Sequence, residues 1–337
     1  MDYSIRYKQA FLKIKNSRKL LIISHINPDG DALSSVCAFL ELARMLKIDA
    51  QAYAQFKKGD TFNYLPHESE IITDSANVLS LNSYDTVVVL DCGSLSRTNL
   101  LEEIKTVQKS SDRPFIIELD HHPKVDDYAD LEIREPEKAA TVEIIYNFLK
   151  ENKFSLNKNL ANCILTGLLT DTGNFLYSNS SNINIAIASE MLDLGAQFPK
   201  IINNTLHNQN MLSMKLWGLT MDNLKINAKY NIAYSVLTKE DLDNLTKLGS
   251  KIEIERYLNN DVYGDIAGFL SNLSEVQAIM LLREEEDGKI KGSLRTSRPD
   301  VDISGLAKEL GGGGHPKASG FVMQGHIVKT ESGWKIV

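Results

Sequence analysis

Three short apolar runs constrain this chain more than anything else in it: Leu20-Leu21-Ile22-Ile23, Thr86-Val87-Val88-Val89-Leu90 and Phe115-Ile116-Ile117-Glu118-Leu119. Each is too short for a helix and apolar on both faces, the pattern of a strand in the middle of a parallel sheet. Each also runs straight into metal-capable side chains. The first enters SHINPDGDALSS, Ser24 to Ser35, with His25, Asp29 and Asp31. The second ends in Asp91-Cys92-Gly93-Ser94, and the third in Asp120-His121-His122-Pro123. In a parallel sheet these three loops emerge on one edge, where open α/β sheets bind ligands.

A histidine beside two carboxylates suits a divalent metal that takes mixed nitrogen and oxygen ligands. The competing reading is an Asx-rich turn in which Asp31 caps the apolar helical segment through Leu46. One aspartate after a strand is usually such a cap, and a histidine pair is usually a polar loop. Three endings of this kind in one sheet are hard to assign to capping. Four of the seven histidines fall in the motifs discussed here, so histidine is not scattered. Asp171, in Thr170-Asp171-Thr172-Gly173-Asn174, follows a helical segment over 160–169. By itself it reads as a helix C-terminal turn, with Gly173 supplying positive φ.

At 337 residues the chain exceeds what one core usually organises, so two domains are expected. The division expected is 1–197 for a doubly wound α/β catalytic domain, 198–226 for a helical linker, and 227–337 for a smaller α/β substrate domain. Helices are expected over 2–16, through Leu46, over 100–109, 183–194, 200–226 and 303–310. Strands are expected near 50–54, 232–237, 276–283 and 291–295, with a turn at 284–288 and a closing hairpin over 325–337. No apolar run approaches a membrane span, and residues 1–19 lack the uninterrupted apolar segment of a secretory signal. Cys37, Cys92 and Cys163 have neither disulfide nor zinc spacing. A cytoplasmic location is expected. A net charge of −7 provides no field for long nucleic acid, so neither duplex DNA nor a membrane is an expected partner. A homodimer stays open.

An anionic substrate must then be held by local cations, and the C-terminal part offers a place. Gly311 to Gly314 precede His315-Pro316-Lys317, and Arg295-Thr296-Ser297-Arg298 stand shortly before. Glycines let backbone N–H groups converge on a phosphate. A bare glycine run reads first as a hinge; the adjoining cations favour an anion-binding loop. Neither a Walker loop nor a dinucleotide fingerprint fits it. Arg298 and Lys317 rank lower, since single surface cations are usually solvated.

HINPDGD at 25–31, Asp91, DHH at 120–122 and Asp171 in TDTGN together resemble the motifs of the DHH phosphoesterase superfamily. GGGGHPKASGF at 311–321 resembles its associated C-terminal domain. The set is most similar to the bacterial nano-RNase and pAp phosphatase group, which also includes cyclic-di-AMP and pApA phosphodiesterases. The resemblance implies two divalent metals, Mn²⁺ first and Mg²⁺ or Co²⁺ as substitutes. His25 and Asp29 would hold one, Asp31, His121 and Asp171 the other, and Asp91 would bridge them. Asp120 would orient His121, and His122 would face the phosphate. Arg295, Ser297, Gly312, Gly313, Gly314 and His315 would grip the distal part of a small nucleotide in a cleft between the domains. The activity implied is hydrolysis of very short oligonucleotides or of pAp by a hydroxide activated between the metals, with cyclic-di-AMP or pApA as alternatives. A catalytically idle nucleotide sensor is the reading from another class, and it has no need of six metal-capable side chains. A glycosidase carboxylate pair would leave the histidines unexplained. An EF-hand is excluded by Leu40 at the closing position.

Overall fold

The computed structural model describes residues 3–59, 61–78, 80–206, 211–246, 262–285, 288–330 and 333–337. It divides into two compact units, one up to residue 208 and one from 209 onward. Among the described residues no helix is long and apolar enough to cross a membrane.

The first unit is a five-stranded, wholly parallel sheet. Its strands are β1 (Lys19–Ile23), β2 (Asp49–Tyr53), β3 (Thr86–Leu90), β4 (Phe115–Asp120) and β5 (Leu131–Arg134), in the order β2-β1-β3-β4-β5. The apolar runs behave as their composition requires. Leu20 and Ile22 of β1, Val88 and Leu90 of β3, and Ile117 and Leu119 of β4 enter one core layer. Leu21, Ile23, Val87, Val89 and Ile116, the alternate residues, enter the layer on the opposite face. That is the period of two, buried twice.

Helices α1 (Ser4–Lys15), α2 (Gly30–Leu46), α4 (Thr141–Glu151) and α5 (Lys158–Asp171) contribute to the first layer, and α3 (Leu101–Val107) to the second. Helix α2 is buried on every side from Gly30 to Ala43, and it packs closely on α5. Two glycines make that approach possible. A Cβ on Gly30 would stand 2.4 Å from the Thr170 side chain, and one on Gly167 would stand 2.6 Å from Asp31 Oδ1.

After α6 (Asn182–Asp193), the stretch expected as a linker holds two helices. Ile201 of α7 (Phe198–Thr205) joins the α5–α6 core, whereas Leu216 of α8 (Met211–Asp222) joins the core of the second unit. Residues 207–210 lie outside the described residues, as do 286–287 of the expected turn and 331–332 of the closing hairpin. The helix does not continue to 226, because 225–227 form a strand.

The second unit is a six-stranded mixed sheet of β6 (Lys225–Asn227), β7 (Ile232–Leu237), β8 (Ala278–Glu285), β9 (Lys289–Arg295), β10 (Gly313–His315) and β11 (Ala318–Gln324), in the order β10-β11-β9-β8-β7-β6. Helices α8, α9 (Lys239–Thr246) and α10 (Val262–Leu270) supply one face, and α11 (Ser304–Glu309) the other. Strands β12 (Ile327–Thr330) and β13 (Gly333–Ile336) close the chain as an antiparallel pair.

Candidate metal centre

The order β2-β1-β3 reverses direction after β1, so the loops after β1 and β3 flank a topological switch point, where open parallel sheets leave a crevice. His25, Asp29 and Asp31 follow β1, and Asp91 follows β3. The backbone is bent sharply to achieve this. Asn27 and Asp91 both have left-handed φ, 50° and 54°, a conformation that aspartate and asparagine tolerate best among side-chain-bearing residues. Ser24 Oγ ties the two loops together by donating to the Leu90 carbonyl at 2.9 Å.

His25 shows its role by what it lacks. It is 3% exposed, and its Nδ1 donates to the Ile26 carbonyl at 2.8 Å. That bond fixes the tautomer and leaves Nε2 a lone pair, buried and with no hydrogen-bond partner. A buried acceptor in that state costs free energy unless something binds it. One ligand atom each from His25, Asp29 and Asp91 lies within 4.8 Å of the others, and the same holds for Asp31, Asp91 and His121. Asp91 belongs to both groups. Asp171, at the end of α5, reaches His121 Nε2 with Oδ2 at 3.3 Å. Two ionised carboxylates at about 4–5 Å repel by roughly 3–4 kcal/mol at an effective dielectric of 20. The donor set therefore fits divalent cations, and it mixes oxygen with imidazole as such ions accept.

The aspartates do more than face one another. Asp29, not Asp31, caps α2: its side chain accepts from the Ala32 N–H at 3.0 Å. Asp31 caps a different helix. Its Oδ2 and Oδ1 accept from the Thr141 and Val142 amides at the start of α4, at 2.6 and 3.0 Å. Burial, with the charges of Asp91 and Asp29, pushes its carboxyl well above the usual range. Burial also works against an ionised Asp91, but hydrogen bonding to His122 and the charges of His122, His121 and His25 hold that carboxyl low. Asp91 Oδ1 further accepts from Thr141 Oγ1 at 2.9 Å.

Asp120 departs from expectation. It does not orient His121, whose Nδ1 faces the Lys138 carbonyl at 3.3 Å. Instead Asp120 Oδ1 accepts from the backbone N and Nδ1 of His122, at 2.7 and 2.8 Å, and Oδ2 from the Gly93 amide at 2.6 Å. An aspartate readily folds back onto the amide two residues ahead, and here the ring of that residue is held too. Burial would lower the His122 pKa, but the bonds and charges of Asp120 and Asp91 raise it to about 10.

Arg134 escaped the sequence reading, although it is the residue under this loop. Fully buried at the end of β5, it donates to the carbonyls of His122 at 2.7 Å and Pro123 at 3.2 Å, and it pairs with Glu118. An isolated arginine in a weak strand gave no signal. Thr141 was equally silent.

In the second unit the glycine run is half turn and half strand: Gly311 and Gly312 follow α11, and Gly313 and Gly314 open β10. Gly313, Gly314 and His315 pair in register with Gly320, Ser319 and Ala318. The glycines are required by close backbone approach: a Cβ on Gly312 would stand 2.0 Å from the Gly320 carbonyl oxygen, and one on Gly314 2.6 Å from that of Ala318. Register then sets the face. Arg295, Ala318 and His315 form one row across β9, β11 and β10, and Ser293, Gly320 and Gly313 form the next. Arg295 and His315 thus stand two strand spacings apart, about 9–10 Å, over a floor of small residues. Ser297 Oγ lies 3.0 Å from Ser271 Oγ. Arg298 and Lys317 are engaged with backbone: Lys317 Nζ donates to the carbonyls of Arg298, Pro299 and Val301 at 2.6, 2.9 and 2.7 Å. Arg298 donates to those of Val276 and Ser274.

The comparisons with known proteins agree with this anatomy. The model of the DHH family N-terminal domain matches residues 19–168, and that of the DHHA1 domain matches residues 230–331. The bifunctional oligoribonuclease and PAP phosphatase NrnA of Bacillus subtilis is 27% identical over 304 residues, covering 89% of this chain and 88% of that protein. Its namesake from Thermus thermophilus is 27% identical over 312 residues, covering 91% and 84%. An exopolyphosphatase-related protein from Bacteroides fragilis, 24% identical, has the same fold, with a TM-score of 0.80 over 94% of this chain and 90% of that one. The chain belongs to the DHH family of phosphoesterases, with a DHHA1 domain in its second unit.

Proposed function

We propose that this phosphoesterase hydrolyses very short oligonucleotides, the 3′-phosphate of pAp, or both. The observation that carries the metal-dependent part is the buried, unpartnered Nε2 of His25 beside Asp29 and Asp91. The substrate class rests on the relatives that carry those activities in their names. His25 and Asp29 would hold one divalent ion, Asp31, His121 and Asp171 a second, and Asp91 both; Mn²⁺ suits this set best, and Mg²⁺ or Co²⁺ can replace it. Bound ions of this kind polarise a phosphoryl oxygen and lower the pKa of a coordinated water.

The chain's own residues do the rest. Asp91, held by Thr141, keeps the two ligand groups in register. Asp120 locks the His122 ring with Nδ1 as donor, so Nε2 is presented to the phosphate, as a proton donor to its oxygens or to the leaving oxygen. Arg295, Ser297, Gly312–Gly314 and His315 are proposed to take the nucleotide's distal phosphate or base. A catalytically idle sensor would not retain an orphaned buried imidazole. The deciding experiment is a turnover panel with Mn²⁺: pAp, pApA, cyclic-di-AMP and RNA of two to five nucleotides. Efficient turnover of pAp or the short RNAs is expected. Turnover confined to cyclic-di-AMP or pApA would move the assignment there, and no metal-dependent turnover of any of them would end it.

A further inference from the structure

The metal centre gathers Asp29, Asp31, Asp91, Asp120 and Asp171, and a phosphate brought to it adds further negative charge. Nearby protein cations are few. Arg134 is buried against Glu118, with Asp120 at 3.5 Å. Lys138 faces Glu143 at 3.4 Å. Among the described residues of the first unit, a further guanidinium at this edge is that of Arg97, in the short turn Leu95–Thr98 that follows the Asp91 loop.

Arg97 is exposed yet anchored. Nη1 donates to the Cys92 carbonyl at 3.1 Å, one residue from Asp91. Its own carbonyl accepts from the Ile26 amide at 2.7 Å, next to His25. Among the described residues no carboxylate lies within ion-pair distance of it. Gly93 keeps the intervening space open: a Cβ there would stand 3.2 Å from Arg97 Nη1 and 3.4 Å from His122 Cγ. One point is thus bordered by a guanidinium with several unused donors and by the imidazole that Asp120 holds in place. Of the residues around it, His122 directly follows the proposed ligand His121, and Gly93 stands two residues after Asp91. A planar fork of donors next to an imidazole matches the several oxygens of a phosphoryl group.

We propose that Arg97 is a phosphate-binding residue of this centre, donating with His122 to the phosphoryl oxygens of the substrate across the gap left by Gly93. The inference rests on the phosphoesterase reading above and is independent of which nucleotide is the substrate.

The test is binding of inorganic phosphate to the Mn²⁺-loaded full-length protein, by calorimetry, for wild type, Arg97→Ala and Arg97→Gln. Glutamine can still reach the Cys92 carbonyl but carries no charge. Both variants should bind phosphate about ten- to a hundredfold more weakly, as loss of a charged hydrogen bond predicts, with unchanged manganese stoichiometry and melting temperature. On any substrate of the panel kcat/KM should fall by a similar factor. Phosphate affinity within about twofold of wild type in the glutamine variant would reduce Arg97 to a loop anchor and overturn the proposal. Absence of phosphate binding in the wild type would do the same. If wild type binds phosphate, the variants lose it and no nucleotide of the panel is hydrolysed, the substrate assignment fails and the role of Arg97 stands.

Discussion

The two units of this chain place chemistry on their sheets in opposite ways. In the first, both faces of a parallel sheet are covered by helices, so only the strand ends are available. Every candidate metal ligand sits there or at a helix end beside it. In the second, the candidate residues lie across the strands on the sheet's face, where small residues keep a half-buried surface low. Strand ends concentrate charge, because loops and helix termini converge and their amides can stabilise carboxylates such as Asp31. A sheet face spaces groups at fixed intervals and holds fewer of them. The first arrangement suits ions; the second suits an extended, flat ligand. Breaking each should therefore have different consequences.

The largest effect is expected from Asp91→Asn. It removes the carboxylate common to both ligand groups, so manganese binding should lose an ion or its spacing. Turnover should fall by more than the roughly hundred- to thousandfold that loss of one electrostatic donor costs. Far-UV circular dichroism should stay native. Full manganese stoichiometry with near-normal kcat would remove Asp91 from its bridging role.

Next comes Gly167→Ala, which attacks the same centre from behind. The new methyl would meet Asp31 Oδ1 at 2.6 Å and the Val142 methyls at 2.7 and 2.8 Å. Overpacking of this kind costs about 1–3 kcal/mol. Both the melting temperature and the manganese content should drop, because the ligand the new methyl meets first is Asp31. A variant that melts lower but binds both ions normally would show that α2 and α5 can part without moving Asp31.

The central strands and the loops they feed were legible from sequence because burial on both faces leaves an unbroken apolar run. Ligands two or four residues apart, as in His25, Asp29 and Asp31, share one loop and one signal. What stayed hidden acts at long range. That Asp31 caps α4 depends on Thr141, over a hundred residues away, and α4 itself drew no notice. That Asp120 serves His122 follows from a local turn whose direction no spacing reveals. The glycine run was visible, but its packing was not: no spacing reveals that Gly312 and Gly314 lie against the backbone of Gly320 and Ala318.

The third effect is smaller and falls on the other sheet. Arg295→Ala or His315→Ala should lower kcat/KM by roughly ten- to a hundredfold, with metal content unchanged. Lys317→Ala provides the contrast, since its ammonium is occupied by three carbonyls. It should lower the melting temperature and leave KM as it was. Loss of metal in the Arg295 or His315 variant would contradict a purely substrate-holding role.

The smallest effect is a slope, and it tests how many phosphates the proposed cations hold. The chain's net charge of −7 offers a long strand no general attraction. On the proposals above, binding comes from a few placed groups, Arg295, His315 and Arg97. Each neutralised phosphate of a single strand contributes about −0.7 to the slope of log K against log salt. Two or three contacts therefore give about −1.4 to −2.1, whatever the length of the strand. Once those contacts are filled, extra nucleotides add unpaired negative charge near an acidic protein. We expect kcat/KM to peak at one to a few nucleotides and to decline with length, with that shallow slope throughout. A strand-binding nuclease behaves otherwise, since a basic groove lined with aromatic side chains gains with each added nucleotide and its salt slope steepens with length. Measuring kcat/KM for RNAs of two to thirty nucleotides at several salt concentrations separates the two. Efficiency that climbs with length while the slope steepens would mean a phosphate track beyond Arg295 and His315, and the second sheet would then be the start of a groove.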